Sequence, residues 1–332
     1  WHELQKDRWK QVHASDVITS MERDLFPHIG TMPVETIDIP LLLAVLRKVE
    51  ARGAIATAHR LRQRADKVFR YAQSSGIRTD NPAANLADAL KPVPPKKRWP
   101  ALVELDEVRR LIDEVDDAGA SPVTRLASRF LALVAQRPGM VRHAEWPEFE
   151  GIDWEQIDAN ASEAVWRIPA DKMKQELHLR NDSAFEHVVP LAPAAVDALR
   201  AVRQLTGRCR DVFCSSRSGA EPMSENAIGY LYNRIGYQSR HVPHGWRSSF
   251  STIMNNRAER ALVGDDSLFI DRFIIDLMLA HVPSGTSQTE LRYNRARFMD
   301  RRRELANDWA ELIVAEAVPA CSLIGTPRRK AA

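Results

Sequence analysis

Apolar residues recur at helical spacing through the first 90 residues, with little of the alternation that strands require. The clearest run would line one buried face of a helix: Ile55, Ala58, Leu61, Ala65, Val68 and Ala72. A second, mostly basic stripe follows the same helix at i, i+4, i+7 and i+11: Arg60, Arg64, Lys67 and Tyr71. The pattern therefore predicts a small all-helical domain over residues 1–90.

A proline-rich segment interrupts this pattern at residues 91–100, where four of ten residues are prolines. Prolines at this density cannot continue a helix, and they stiffen an extended chain. The segment predicts a basic interdomain linker over residues 91–101. A second domain is then expected at 102–318, followed by a flexible basic tail at 319–332.

Beyond the linker the pattern is mixed. Helices are predicted at 105–115, 123–135, 193–205, 224–235, 244–256, 268–279 and 298–315. Two short apolar runs, at 165–168 and 187–191, predict the strands of a hairpin or small sheet. The expected fold class is therefore mainly α, with a small β-sheet in the C-terminal domain.

The composition is that of an ordinary globular protein: 332 residues, 44% apolar, 27% charged and a formal net charge of +3. These proportions exclude a disordered, fibrous or collagen-like chain. Three cysteines are too few for a disulfide framework, which favours a reducing, cytoplasmic compartment. No apolar run approaches the roughly 18 residues of a transmembrane helix. The first residue is Trp1 rather than Met, which we interpret as the start of a fragment of a longer protein.

The small net charge hides an uneven distribution. Between Arg52 and Arg98 there are eleven basic residues and three acidic ones, a local excess of eight positive charges. A solvated surface is the ordinary role of such a face, but the scarcity of compensating acids favours a surface that meets phosphates. The candidate nucleic-acid contacts are Arg60, Arg64 and Lys67 on the helix and Lys96, Lys97 and Arg98 in the linker.

Motifs for nucleotide or metal chemistry are missing from the sequence, which has no Gly-rich phosphate loop, no His-Glu-x-x-His and no Gly-x-Ser-x-Gly. Four short segments carry the remaining candidates, and each is weak by itself. They are the Arg137-Pro138-Gly139 turn, the Asp171-Lys172-Met173-Lys174 run after a strand, the His244-Gly245-Trp246-Arg247 box, and Leu279-Ala280-His281 followed by Tyr293.

Taken together, the order and spacing of these segments resemble the tyrosine recombinase (phage integrase) family, and most of all the integrases of prophages and genomic islands. The His244 box is the most specific part of the resemblance. The helix over residues 58–72 and the Asn81-Pro82-Ala83 turn resemble the family's core-binding domain. The resemblance implies a helical core-binding domain at 1–90 and a tyrosine recombinase catalytic domain at 102–318. It also implies that the N-terminal arm-binding domain common in prophage integrases is not included.

The residue types suit the chemistry that this family performs. A tyrosine can attack a phosphodiester and store the bond energy as a 3′-phosphotyrosine, so that the strand is rejoined without a cofactor. Guanidinium groups are permanently charged and fork-shaped, which suits the two non-bridging phosphate oxygens. By resemblance, Tyr293 is the nucleophile, and Arg137 and Arg247 hold the scissile phosphate. No metal or cofactor is implied.

The other candidates would move protons or support the site. By resemblance, Lys174 is the general acid for the leaving 5′-oxygen, and Lys172 is left open as the alternative. His244 would assist proton transfer at the nucleophile, while His281 would either hydrogen-bond the phosphate or support the site. The family usually carries an acidic residue where this chain has Met140, which predicts reduced rather than absent activity.

The resemblance implies a site-specific recombinase that integrates or excises a mobile element at attachment sites in double-stranded DNA. It implies a homotetramer on DNA, accessory DNA-bending or directionality proteins from host or phage, a bacterial, nucleoid-associated location and no membrane partner. The last predicted helix has two interpretations, docking on a neighbouring protomer or packing on its own domain. Two alternative functions stay open: an integrase-derived DNA-binding protein with weakened catalysis, and a type IB topoisomerase-like enzyme.

Overall fold

The computed structural model describes residues 1–95, 97–155, 163–173, 186–215, 217–261, 267–281 and 298–325. The chain divides into two compact units, with the boundary between Arg98 and Trp99. Each unit has its own core of buried apolar side chains. The two cores correspond to the two stretches of periodic sequence on either side of the proline-rich segment.

The regular secondary structure of the first unit is helical over its described residues. Its helices are α1 (His2–Lys6), α2 (Gln11–Asp24), α3 (Phe26–Ile29), α4 (Ile39–Ala51) and α5 (Ile55–Ser74), with a 3-10 turn at Val34–Thr36. On α5 the apolar stripe faces inward, with Ala58 and Leu61 fully buried against α4. The helical periodicity of this segment therefore predicts its buried face.

The chain after α5 folds back onto that helix. The Asn81 amide donates to Asp66 Oδ1 at 2.7 Å, and its own Oδ1 accepts the Ala83 backbone N–H at 2.9 Å. Arg62 on α5 donates to the Ala83 carbonyl at 3.3 Å. The Asn81-Pro82-Ala83 turn therefore ties the end of the first unit to the middle of α5.

Over its described residues, the second unit is mainly helical and contains a small sheet. Its helices are α6 (Leu105–Asp116), α7 (Pro122–Val134), α8 (Pro138–Arg142), α9 (Pro193–Thr206), α10 (Ala227–Arg234), α11 (Gly245–Ala261), α12 (Ser267–Met278) and α13 (Met299–Val314). Its strands are β1 (Phe149–Glu150), β2 (Val165–Ile168) and β3 (His187–Pro190). Short 3-10 turns lie at Trp146–Glu148, Ala170–Lys172 and Ala320–Ile324.

The three strands form an antiparallel sheet in the order β1-β2-β3. Trp166 on β2 lies opposite Phe149 on one side and Val189 on the other. The two strands predicted for a hairpin or small sheet are confirmed as β2 and β3, and they belong to this small sheet. Strand β1 was not predicted because two residues are too short to show an alternating pattern.

Helix α7 runs through the core of this unit. Leu126 and Phe130 are fully buried, and the Phe130 ring contacts the rings of Trp166 and Phe213 at centroid distances of 5.7 and 5.6 Å. The core extends to the end of α7, where the candidate residue Arg137 follows. A rigid α7 therefore gives the candidate site a fixed base.

The last long helix, α13, packs on its own unit. Leu305, Trp309 and Ile313 are buried, and Trp309 Nε1 donates to the Ala132 carbonyl on α7 at 2.9 Å. The Trp309 ring also meets Phe250 edge to face. The structure therefore favours the interpretation in which this helix packs on its own domain, because its apolar face is buried within the protomer.

The flexible tail expected from residue 319 differs from the structure. Ala320–Ile324 forms a 3-10 turn in which Ala320 and Leu323 are buried. Arg125 on α7 donates to the Leu323 carbonyl at 3.0 Å. The prediction was wrong over this turn because two apolar side chains find space beside α7, which the local sequence does not reveal. Residues 326–332 lie outside the described residues.

Candidate active site

Arg137 lies at the turn between α7 and α8. The turn begins with Ala135 in a left-handed backbone conformation, with φ 48°, which ends α7. The buried Gln136 side chain donates to the Met278 carbonyl at 2.8 Å. Arg137 then precedes Pro138 at the N-terminus of α8. This arrangement fixes the Arg137 backbone against the end of α12.

Arg247 lies in the first turn of α11 and is 5% exposed. Its Nη2 donates to the Leu279 carbonyl and to His281 Nε2, each at 2.7 Å. Its Nη1 is buried and has no hydrogen-bond partner in the described part of the chain. A buried guanidinium with one unused donor is a favourable site for an anion.

The turn after α12 brings the two arginines together. Ala280 adopts a left-handed conformation with φ 50°, and the His281 backbone N–H donates to the Asp276 carbonyl at 3.0 Å. Arg137 Nη2 reaches the Ala280 carbonyl at 3.5 Å, next to the Leu279 carbonyl that Arg247 uses. Residues 279–281 therefore serve as a common anchor for both guanidinium groups.

The contact with Arg247 assigns the tautomer of His281. Arginine only donates hydrogen bonds, so His281 Nε2 must accept. In a neutral ring the proton then lies on Nδ1, which faces Asp276 Oδ1 at 3.6 Å. Of the two roles expected for His281, this geometry matches support of Arg247.

The electrostatics of this group are dominated by burial and by the mutual repulsion of its positive charges. Burial, together with the charge of Arg137, lowers the pKa of Arg247 to about 10. Burial also lowers the pKa of Arg137. The pKa of His244 is lowered by burial and then by the two arginines, and that of His281 by burial and Arg247. An anion bound among these groups would favour their charged forms.

His244 directly precedes α11, as the sequence predicts. Its neighbour Gly245 is required because a Cβ at that position would lie 2.5 Å from the Pro100 carbonyl oxygen. His244 is half-buried, with the exposed Trp99 ring against it at a centroid distance of 5.5 Å. The half-buried imidazole thus lies just before the N-terminus of α11, the helix that carries Arg247.

Lys172 is already engaged by carboxylates. Its Nζ donates to the His143 carbonyl and to Glu145 Oε1, each at 2.7 Å, and it forms an ion pair with Glu148. Although burial lowers the pKa of Lys172, hydrogen bonds to the two glutamates outweigh it and raise the pKa above its ordinary value. Such a lysine is a poor general acid, because it holds its proton for the carboxylates.

Several predicted site residues lie outside the described residues: Lys96, Lys174 and Tyr293. Their predicted roles stay predictions. The other two linker candidates, Lys97 and Arg98, are exposed.

The basic stripe on α5 is not uniform. Arg60 and Lys67 are exposed. Arg64 instead turns toward α2, where its Nη1 contacts the Asp16 carbonyl at 3.4 Å and the Ser20 hydroxyl. Helical spacing places all three on one side of the helix, but it does not tell which side chain finds a partner within the unit.

Sequence reasoning missed two residues that support the site. Gln136 joins the Arg137 turn to the end of α12. In the sequence, the one feature that could have indicated it is its position as a polar residue directly before Arg137. His241 is fully buried, and its Nδ1 accepts the Leu102 backbone N–H at 3.1 Å. Burial lowers the pKa of His241 to about 3, so it is neutral. The signal for His241 was a second histidine three residues before His244.

None of the helices over the described ranges is long and apolar enough to cross a membrane. Within those same ranges, no cluster of three or more His, Cys, Asp or Glu side chains is placed to hold a metal ion.

Comparison with known proteins identifies relatives of this chain. The family model of the phage integrase central domain matches residues 1–89. Prophage integrase IntA of Escherichia coli is 31% identical over 315 residues, which cover 95% of this chain and 68% of that protein. The match therefore includes both units.

Solved structures show the same fold. A lambda integrase dimer bound to a COC′ core site has a TM-score of 0.60 and 17% identity, and the match covers 86% of this chain and 93% of that chain. A lambda integrase tetramer bound to a Holliday junction has a TM-score of 0.58 and 17% identity, with 86% and 76% covered. The predicted fold class is confirmed.

The fold and the similarity to prophage integrases over nearly the whole chain place this protein among DNA recombinases of the integrase type. The chain belongs to the tyrosine recombinase (phage integrase) family. This confirms the expected function, which is site-specific DNA recombination by an enzyme.

Proposed function

We propose that this recombinase binds the scissile phosphate of double-stranded DNA between Arg137 and Arg247 and cleaves the strand with Tyr293. The observation that carries the proposal is the buried Nη1 of Arg247, which has no partner among the described residues and lies near a second guanidinium. A phosphodiester would supply the missing acceptor and the missing negative charge. The stabilisation would increase as charge builds on the phosphoryl oxygens in the transition state.

In the proposed cleavage step, the Tyr293 oxygen attacks phosphorus and the bond to the 5′-oxygen breaks. The products are a 3′-phosphotyrosine and a free 5′-hydroxyl, whose proton comes from Lys174. We assign this proton to Lys174 because Lys172 is engaged by Glu145 and Glu148. His244 takes the proton of the tyrosine hydroxyl, which requires a neutral imidazole; burial and the neighbouring arginines lower its pKa and so favour that form. Ligation runs the same steps in reverse.

The proposed DNA-contacting side chains of the first unit and the linker are those that the structure leaves exposed: Arg60, Lys67, Lys97 and Arg98. They would contact phosphates and so contribute affinity without sequence preference. The structural neighbours are a dimer on a core site and a tetramer on a Holliday junction. By analogy, we expect the chain to act as a tetramer on two attachment sites, together with accessory DNA-bending or directionality proteins.

The test is a nicked suicide substrate that traps the covalent intermediate. Wild type should give an SDS-resistant protein–DNA adduct, and Tyr293→Phe should give none. Tyr230→Phe is the matched control, because Tyr230 is exposed on α10 and has no role in the site. An adduct from Tyr293→Phe would show that the nucleophile is misassigned. Lys174→Ala should abolish cleavage, while Lys172→Ala should retain it.

A second function is favoured by one observation, the buried Met140 at the position where the family usually carries an acid. A chain without that carboxylate could bind DNA and no longer cleave it. The same experiment separates the two functions, since DNA binding without any adduct would support the non-catalytic protein. Relaxation of supercoiled plasmid without site preference would instead indicate a topoisomerase-like enzyme.

A further inference from the structure

Trp99 lies beside the candidate proton-transfer residue His244. Its ring centroid is 5.5 Å from that of the imidazole, with 50° between the planes. Trp99 is nevertheless 62% exposed, which is unusual for so large an apolar side chain. Among the described residues, the Trp99 ring is the aromatic neighbour of His244. The ring contact is therefore an interaction that can orient the imidazole.

The backbone that carries Trp99 is held firmly against the His244 box. This backbone spans residues 99–102. The Val242 N–H donates to the Pro100 carbonyl at 3.2 Å, and the Leu102 N–H donates to His241 Nδ1 at 3.1 Å. The Ser249 hydroxyl donates to the Leu102 carbonyl at 2.5 Å. The indole is therefore positioned from a fixed backbone rather than from a free linker.

We propose that Trp99 is a positioning residue for His244. The indole covers part of the imidazole, restricts its rotation and limits its contact with water. This inference rests on the proposed function, because it requires His244 to take part in cleavage. It adds a residue from the end of the linker to a site otherwise formed by helix ends and turns of the second unit.

The charges that face His244 determine the expected pH response. Burial lowers its pKa first, and Arg247, Arg137 and His281 lower it further. Removing the indole would admit water and raise the pKa toward its ordinary value. Cleavage that needs the neutral ring is lost as pH falls through this pKa, so Trp99→Ala should lose activity at a higher pH than wild type.

The experiment measures single-turnover cleavage of the nicked substrate at saturating DNA across a pH range. Trp99→Ala should cleave about tenfold more slowly near pH 6.5, since general acid–base catalysis contributes at least about a hundredfold in total. Trp99→Phe should stay within about twofold of wild type, because it keeps an aromatic ring over the imidazole. Tyr230→Ala is the control, because it removes a ring exposed to a similar extent, 67%, that makes no ring contact with His244 in the described structure.

A double mutant tests whether Trp99 acts through His244. If it does, Trp99→Ala in a His244→Ala background should cause no further loss. Additive losses, an unchanged pH profile, or a defect confined to DNA affinity would each overturn the proposal. Failure of the proposed function looks different, because then wild type itself would give no adduct or His244→Ala would cleave at the wild-type rate.

Discussion

Replacing Arg247 with lysine keeps the positive charge and removes the fork of donors. In the structure one nitrogen, Nη2, already serves the Leu279 carbonyl and His281, while Nη1 is left for a phosphate oxygen. Lysine has a single nitrogen on its stem. It cannot serve the turn and the phosphate from two separate positions, so one of the two sets of contacts must be lost.

The size of the loss in cleavage rate follows from the hydrogen bond that Arg247→Lys removes. Loss of one hydrogen bond between a charged donor and the phosphate costs about 2–3 kcal/mol. At about 1.4 kcal/mol per factor of ten, the cleavage rate should fall about 30- to 150-fold. Because the side chain is only 5% exposed, water cannot easily replace the missing donor. The loss should appear in the rate at saturating DNA rather than in DNA affinity alone.

The assay is single-turnover formation of the covalent adduct, measured at saturating protein on a nicked suicide substrate. Arg257→Lys is the matched control, because Arg257 lies on the same helix and its side chain is 52% exposed, with a distant ion pair to Asp308 at 3.9 Å among the described residues. It should cleave at the wild-type rate. A rate for Arg247→Lys within about threefold of wild type would refute the reasoning, because positive charge alone would then be sufficient.

Three further outcomes are expected. Glu145→Gln should destabilise the fold at neutral pH, because hydrogen bonds from two basic side chains lower the pKa of Glu145 to about 2. Because the pKa is lowered in the folded state, the ionised Glu145 stabilises the fold fully above the ordinary carboxyl pKa, and this stabilisation is lost as pH falls toward 2. The difference in Tm between wild type and Glu145→Gln should therefore narrow in acid, and a difference that stays constant with pH would contradict this expectation. Trp309→Phe should lower the free energy of unfolding, measured in urea, by about 2 kcal/mol, because the buried hydrogen bond to the Ala132 carbonyl is lost. Unchanged stability would instead indicate that α13 packs on another protomer. Replacing Arg60 and Lys67 with glutamine should lower the salt slope of DNA binding by about 2, while Arg64→Gln should mainly reduce stability; equal slopes for both variants would oppose this assignment.

Met140 bears on how active the enzyme is. The side chain is buried beside the Arg137 turn, and its backbone N–H donates to the Arg137 carbonyl at 2.8 Å. A thioether there offers no negative charge to balance the two arginines, whose pKa values are lowered by burial and, for Arg247, also by the charge of Arg137. Slow cleavage with intact DNA binding is therefore the behaviour expected of wild type.

Local pattern alone predicted the long elements well. The helix expected at 193–205 is Pro193–Thr206, and that expected at 298–315 is Met299–Val314. Periodicity predicts such elements because each turn of a helix repeats the same inward-facing positions. The order of the short motifs, through its resemblance to the family, pointed to Arg137, His244, Arg247 and His281 as candidates, and their roles stay predictions.

Only the tertiary structure decided which partners the polar side chains take. Arg64 turns to α2, Lys172 binds two carboxylates, and Arg247 meets His281 across 34 residues of chain. None of these pairings leaves a local periodic signal, because each depends on two distant segments meeting at hydrogen-bond distance. The contact between Trp99 and His244 is of the same kind, joining the end of a linker to the start of a helix. The sequence thus determined the helices and the order of the candidate residues, while packing decided which donors remain available for a phosphate.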